Sequence, residues 1–60
     1  MTAQFEVYPD AAGKFRWRLR AGNNVIVASS GESFSSKDAA VGGAEAAKRA
    51  AAAASVLVVR

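Results

Sequence analysis

The sequence predicts an α+β domain of order β-β-β-α-β, with an antiparallel sheet and one helix packed on one of its faces. Three observations carry that reading. Two stretches, 2–8 and 14–20, alternate apolar and polar residues at the period of a half-buried strand, with turn-forming residues between them. An alanine-rich stretch from about Ser36 to about Ala53 gathers its charges on one side of a helical wheel. The chain closes on a run of β-formers, Val56–Val59.

In the first strand, residues 2–8, Ala3, Phe5 and Val7 share one face, and Gln4, Glu6 and Tyr8 the other. Pro9 ends it, because proline has no N–H to give to a ladder. Pro9-Asp10-Ala11-Ala12-Gly13 has turn chemistry and joins the first strand to the second as a hairpin. The second strand, Lys14–Arg20, turns Phe15, Trp17 and Leu19 inward and sets Lys14, Arg16, Arg18 and Arg20 in a row on the opposite face. Ala21-Gly22-Asn23-Asn24 is the next turn, since Gly and Asn tolerate left-handed backbone. The third strand is Val25–Ser29.

Ser35 stands three residues before Asp38 and is expected to cap the helix, with Asp38 favourable in its first turn. On the helical wheel Ala40, Gly43, Ala44, Ala47, Ala50, Ala51 and Ala54 fall in one arc of about 120°. Lys37, Asp38, Glu45, Lys48 and Arg49 lie opposite, with Glu45 and Arg49 in the better i,i+4 order. An inward face this small lets a helix approach a sheet closely, which suits Gly43; Gly42 falls on the outer side. Val56–Val59 then reads as a short fourth strand, buried on both faces, that must pair with something to avoid exposing a bare apolar edge.

All 60 residues form one domain. The hydrophobic share of 52% overstates the core, because fifteen of those residues are alanine and only sixteen are large apolar or aromatic. Chains this short draw extra stability from disulfides, metals or oligomerisation. The sequence has no Cys and no His, which removes disulfides, thiolate sites and the usual zinc ligands, so oligomerisation is the expected remedy and no metal is expected. The opening Met-Thr-Ala-Gln-Phe-Glu has no cationic segment followed by an apolar run, so no signal peptide is expected. The longest uncharged apolar stretch, Ala50–Val59, is half of what a membrane span needs. A soluble, cytoplasmic protein without a membrane partner is the expectation.

Several strings in order resemble the bacterial and archaeal family of unknown function DUF1508, also called YegP-like. They are Phe5-Glu6-Val7-Tyr8, the strand Gly13 to Arg20, the strand end Ile26 to Ser30, the helix start Phe34-Ser35-Ser36-Lys37, and Gly43 with Lys48 and Arg49. The chain departs from the family in having Ala44 and Ala47 where larger apolar residues are usual, Phe34 where Tyr is commoner, and a loop before Phe34 one residue longer. The resemblance implies two β-β-β-α-β units forming one continuous sheet, with the C-terminal strands, here Val56, Leu57, Val58 and Val59, exchanged. With one copy in this chain, it implies a homodimer. It implies no chemistry.

Nor do the residues supply any. General acid–base work would fall to Asp, Glu, Lys or Tyr, and the five acids Glu6, Asp10, Glu32, Asp38 and Glu45 are scattered. Ser-x-x-Lys fails because Phe34 stands three before Lys37, and Gly13-Lys14 lacks the rest of a P-loop. The expectation is a non-enzymatic interaction or structural module without a cofactor. The alternative is weak, non-specific binding of nucleic acid or another polyanion through Lys14, Arg16, Arg18 and Arg20. A solvated outer face, partly neutralised by Gln4, Glu6 and Tyr8, explains the same row without a ligand.

Overall fold

The computed structural model describes residues 3–59. Three strands, β1 (Gln4–Pro9), β2 (Phe15–Arg20) and β3 (Ile26–Ser29), form an antiparallel sheet in the order β1-β2-β3. One helix, α1 (Lys37–Ala53), packs over β1 and β2. This is the α+β class and strand order that the alternation and the turn residues predict. Thr2, placed in the first strand by its alternation, and Arg60 lie outside the described residues.

Pro9 belongs to β1 and faces Phe15 in the register. A proline is tolerated there because β1 is an edge strand and Pro9 its last residue. The hairpin loop is therefore Asp10–Lys14, one residue later than the turn composition suggests. Asp10 organises it. Its Oδ1 accepts from the backbone N–H of Ala12 at 2.9 Å and of Lys14 at 3.0 Å, and Gly13 takes the positive φ, 79°, that closes the loop. In the second turn Asn24 is left-handed, φ 69°, as its composition allows.

The register pairs Phe5 with Leu19 and Val7 with Trp17 on the inner face, and Phe5 meets the Trp17 ring edge-on at 5.4 Å. The helix lies against this face through its smallest residues. Ala40 and Ala44 are the only buried hydrophobic residues among those described, and no large apolar side chain is fully buried. The close approach expected at Gly43 is observed. A Cβ there would stand 2.6 Å from Cζ of Phe34, whereas one on Gly42 would meet nothing within 4 Å.

The helix cap is Ser36, not Ser35. Ser36 is extended, and its Oγ accepts from Ala39 N–H at 3.1 Å. The shift follows from Phe34, whose backbone is held to Phe15 by bonds of 2.7 and 2.9 Å, so the chain is still extended at Ser35 and Ser36 before it turns. The alanine arc is covered only along the first part of the helix. Ala40 and Ala44 are buried and Ala47 half-buried, but Ala50, Ala51 and Ala54 are exposed, because the helix outruns the strands beneath it.

Val25–Ser29 shortens to Ile26–Ser29, with an irregularity opposite Leu19 and Arg20. The fourth strand is the main departure. In the single chain Ser55–Val59 carries no strand, and Val56, Leu57, Val58 and Val59 are 97, 80, 75 and 82% exposed, not buried on both faces. A strand requires a ladder partner, and the described residues bring none to the end of the helix.

Candidate functional site

The outer face of the sheet, opposite the helix, carries the row of cations. Antiparallel register sets Glu6 across from Arg18, Tyr8 across from Arg16 and Gln4 across from Arg20, so β1 supplies the only carboxylate among the strand residues of this face. Glu6 is shared. Its Oε1 accepts from Arg18 Nε at 2.7 Å, and both of its oxygens lie 3.2 Å from Arg20 Nε. Arg20 reaches on to the turn, donating from a terminal nitrogen to Oδ1 of Asn24 at 2.9 Å. Arg16 Nε donates to Oδ2 of Asp10 at 3.1 Å, so the residue that orders the hairpin loop also anchors one end of the row. The Arg18 guanidinium stacks over the Tyr8 ring, 4.5 Å from its centroid.

All four predicted residues share this region, but they are not equivalent. Arg16, Arg18 and Arg20 are held at Nε by carboxylates, with side chains 39, 34 and 28% exposed. Lys14 lies in the hairpin loop, is exposed, and forms no ion pair among the described residues. Four cations against two carboxylates leave the face at +2 (4 − 2). Partial neutralisation by Glu6 was legible from the cross-strand pattern. Asp10 was not, because its contact with Arg16 comes from the hairpin loop folding back, although a Pro-Asp turn is itself the signal of a side chain bonded to nearby backbone.

The hydrogen bonds from Arg18 and then Arg20 hold the Glu6 carboxyl below the usual carboxylate range, against a smaller opposing effect of desolvation. For Asp10 the leading cause is the backbone N–H of Lys14, with Arg16 and Ala12 adding to it. Groups whose pKa is depressed by folding bind protons more readily when unfolded, so they stabilise the fold at neutral pH. That contribution is expected to be whole above the ordinary carboxylate range and to fade as pH falls through the lower folded values. Thermal melts between pH 7 and pH 2 check this: the midpoint should drop on the acid side below about pH 4, and an Asp10→Asn, Glu6→Gln double variant should flatten the drop.

The inner side has a different feature. An open groove of about 330 Å³ runs between β1 and α1, lined by Ala3, Phe5, Val7, Val41 and Ala44, with Glu45 and Lys48 also at its wall. Ser30, the one buried polar residue among those described, accepts from Trp17 N–H on its Oγ at 3.2 Å and donates its own N–H to Trp17 O at 2.8 Å. It continues the ladder where β3 has ended, and so is satisfied rather than poised for chemistry. Among the described residues no three acidic side chains gather to hold a metal ion, and no helix is long and apolar enough to cross a membrane.

A family model described as "Domain of unknown function (DUF1508)" matches residues 10–57. Curated relatives include a UPF0339 protein of Neisseria meningitidis serogroup B, 54% identical over 33 residues, covering 55% of this chain and 57% of that protein. Another is a UPF0339 protein of Treponema denticola, 49% identical over 37 residues, covering 62% of each. The matched stretch thus spans about three fifths of these relatives' length. A solved structure, the NMR solution structure of a protein from Haloferax volcanii, is similar over 97% of both chains at 48% identity, with a TM-score of 0.84.

Proposed function

Because the chain belongs to the DUF1508 family of unknown function, whose matched relatives carry only uncharacterised-family names, we propose a role that asks no chemistry of it. The protein is a non-enzymatic interaction or structural module that works as a homodimer, each exchanging its Val56–Val59 strand into the other. The observation that carries this is the tail itself: four consecutive large apolar residues at least 75% exposed, in a chain that fully buries no large side chain among those described. Apolar surface so concentrated favours association. The seat that suits it is the outer edge of β1, which has no neighbouring strand among the described residues. A strand added there would send alternate side chains into the groove of Phe5, Val7 and Val41.

Sedimentation equilibrium at micromolar concentration is expected to give twice the 6.2 kDa chain mass. The backbone N–H groups of residues 56–59 should exchange slowly with solvent, because in the dimer they would enter a ladder. A stable 6.2 kDa monomer with fast exchange in the tail overturns the reading.

A second reading is favoured by one feature of the basic row. The carboxylates engage Arg16 and Arg18 only at Nε, so among the described residues their terminal nitrogens form no hydrogen bond. Such guanidinium groups are oriented yet retain donors for phosphate. In this reading the face binds polyanions weakly and without regard to base sequence. The inner-face aromatics point away from it, and Arg18 already covers Tyr8, so no ring is left for stacking. Affinity that ignores both salt and an Arg16→Ala, Arg18→Ala double variant would exclude it.

A further inference from the structure

Glu6 sits where an anion would. Its two oxygens are bound by Arg18 at 2.7 Å and by Arg20 at 3.2 Å, side by side on one strand face, which is how two guanidinium groups would receive a phosphate. We propose that Glu6 is a built-in competitor for a phosphate site formed by Arg18 and Arg20, and that a phosphodiester strand must displace it to bind. The inference rests on the polyanion reading above and adds how that face is controlled.

Three features of the geometry support displacement. The Glu6 side chain is 31% exposed and its arginine partners 34 and 28%, so water reaches the pairs and they are inexpensive to break. Arg18 and Arg20 each have a second support, the Tyr8 ring and the Asn24 side chain, and these would hold the guanidinium groups in place when the carboxylate leaves. Arg16 and Arg18, and Arg18 and Arg20, are two residues apart on one strand, a step of about 6.6 Å. A flexible single strand can lay successive phosphates along such a straight row.

The test is anisotropy of a labelled single-stranded oligo(dT) titrated with the full chain at 50 and 200 mM salt. It compares the unaltered protein with Glu6→Gln, Glu6→Thr and Arg18→Gln, Arg20→Gln, and each variant's fold is checked by circular dichroism. Glu6→Thr is included because threonine suits a strand if the glutamine variant folds poorly. Removing the carboxylate should free one phosphate contact, steepening the salt slope by about 0.7 and tightening binding by about eightfold at 50 mM salt. The arginine double variant should lose the binding. If both Glu6 variants bind no tighter than the unaltered protein while binding still depends on Arg18 and Arg20, the competitor role is overturned and the polyanion reading stands. If neither the unaltered protein nor any variant binds, or if binding survives loss of both arginines, both are overturned.

Discussion

Deleting residues 55–60 is expected to unfold the protein outright rather than leave a folded monomer. In the single chain these residues cost nothing to remove, since Val56–Val59 are 75–97% exposed. In the dimer proposed above they would be the missing strand of each half. Burying four large apolar side chains contributes about 1.5–3 kcal/mol each, and small domains hold only about 5–15 kcal/mol in total. The loss is therefore comparable with the whole stability. Circular dichroism and size measurement on the truncated chain decide the matter: a folded 54-residue monomer with an unchanged melting point would refute the exchange (60 − 6). A milder form of the same test keeps the length. Leu57→Asp puts a charge where the proposed exchange would bury leucine, and it should shift the monomer–dimer balance steeply toward unfolded monomer.

The second large effect is expected at the adjacent glycines, with opposite signs. Gly42→Ala should stabilise by about 1 kcal/mol, the ordinary gain of alanine inside a helix, because its Cβ meets nothing within 4 Å. Gly43→Ala has the same intrinsic gain but drives a methyl to 2.6 Å from the Phe34 ring. Backbone bonds to Phe15 fix where the Phe34 side chain starts, so relief requires the ring itself to turn away from the helix. Overpacking of this kind costs about 1–3 kcal/mol, so the net effect is a loss. Melting points should separate the two variants by several degrees, given about 4–8 °C per kcal/mol in domains of this size. Adding Phe34→Leu to Gly43→Ala should recover part of the loss, because leucine lacks the Cζ that the methyl strikes. A pair of effects that merely add would argue against the contact.

The two predictions concern different depths of the same weakness. The helix gains stability by lying close to the sheet on Ala40, Gly43 and Ala44, which adds little apolar volume. Several large apolar side chains lie at the margins, with Val41 lining the groove beside β1 and Val56–Val59 beyond the helix. On the proposed reading, a module built this way would give one face to its own assembly and leave the other, cationic face for a partner.

The alternation of 14–20, the β-branched runs and the turn residues at 9–13 and 21–24 determined three strands, their hairpins and which face of β2 is basic, because strand period and turn conformation are properties of neighbouring residues. The alanine-rich wheel likewise determined the helix and its inner side. Only the tertiary structure decided that Phe34 rests on Gly43, that Ser30 completes the ladder beside Trp17, and that Glu6 serves two arginines at once. It also moved the cap from Ser35 to Ser36 and left Ala50 and Ala51 uncovered. Each of these depends on which distant residues the strand register and the length of the helix bring together, and a local pattern contains no such distance. The tail belongs to both sets. Its β-forming composition is local, but whether it becomes a strand depends on a ladder partner, and that partner lies outside its own chain in the dimer proposed for it.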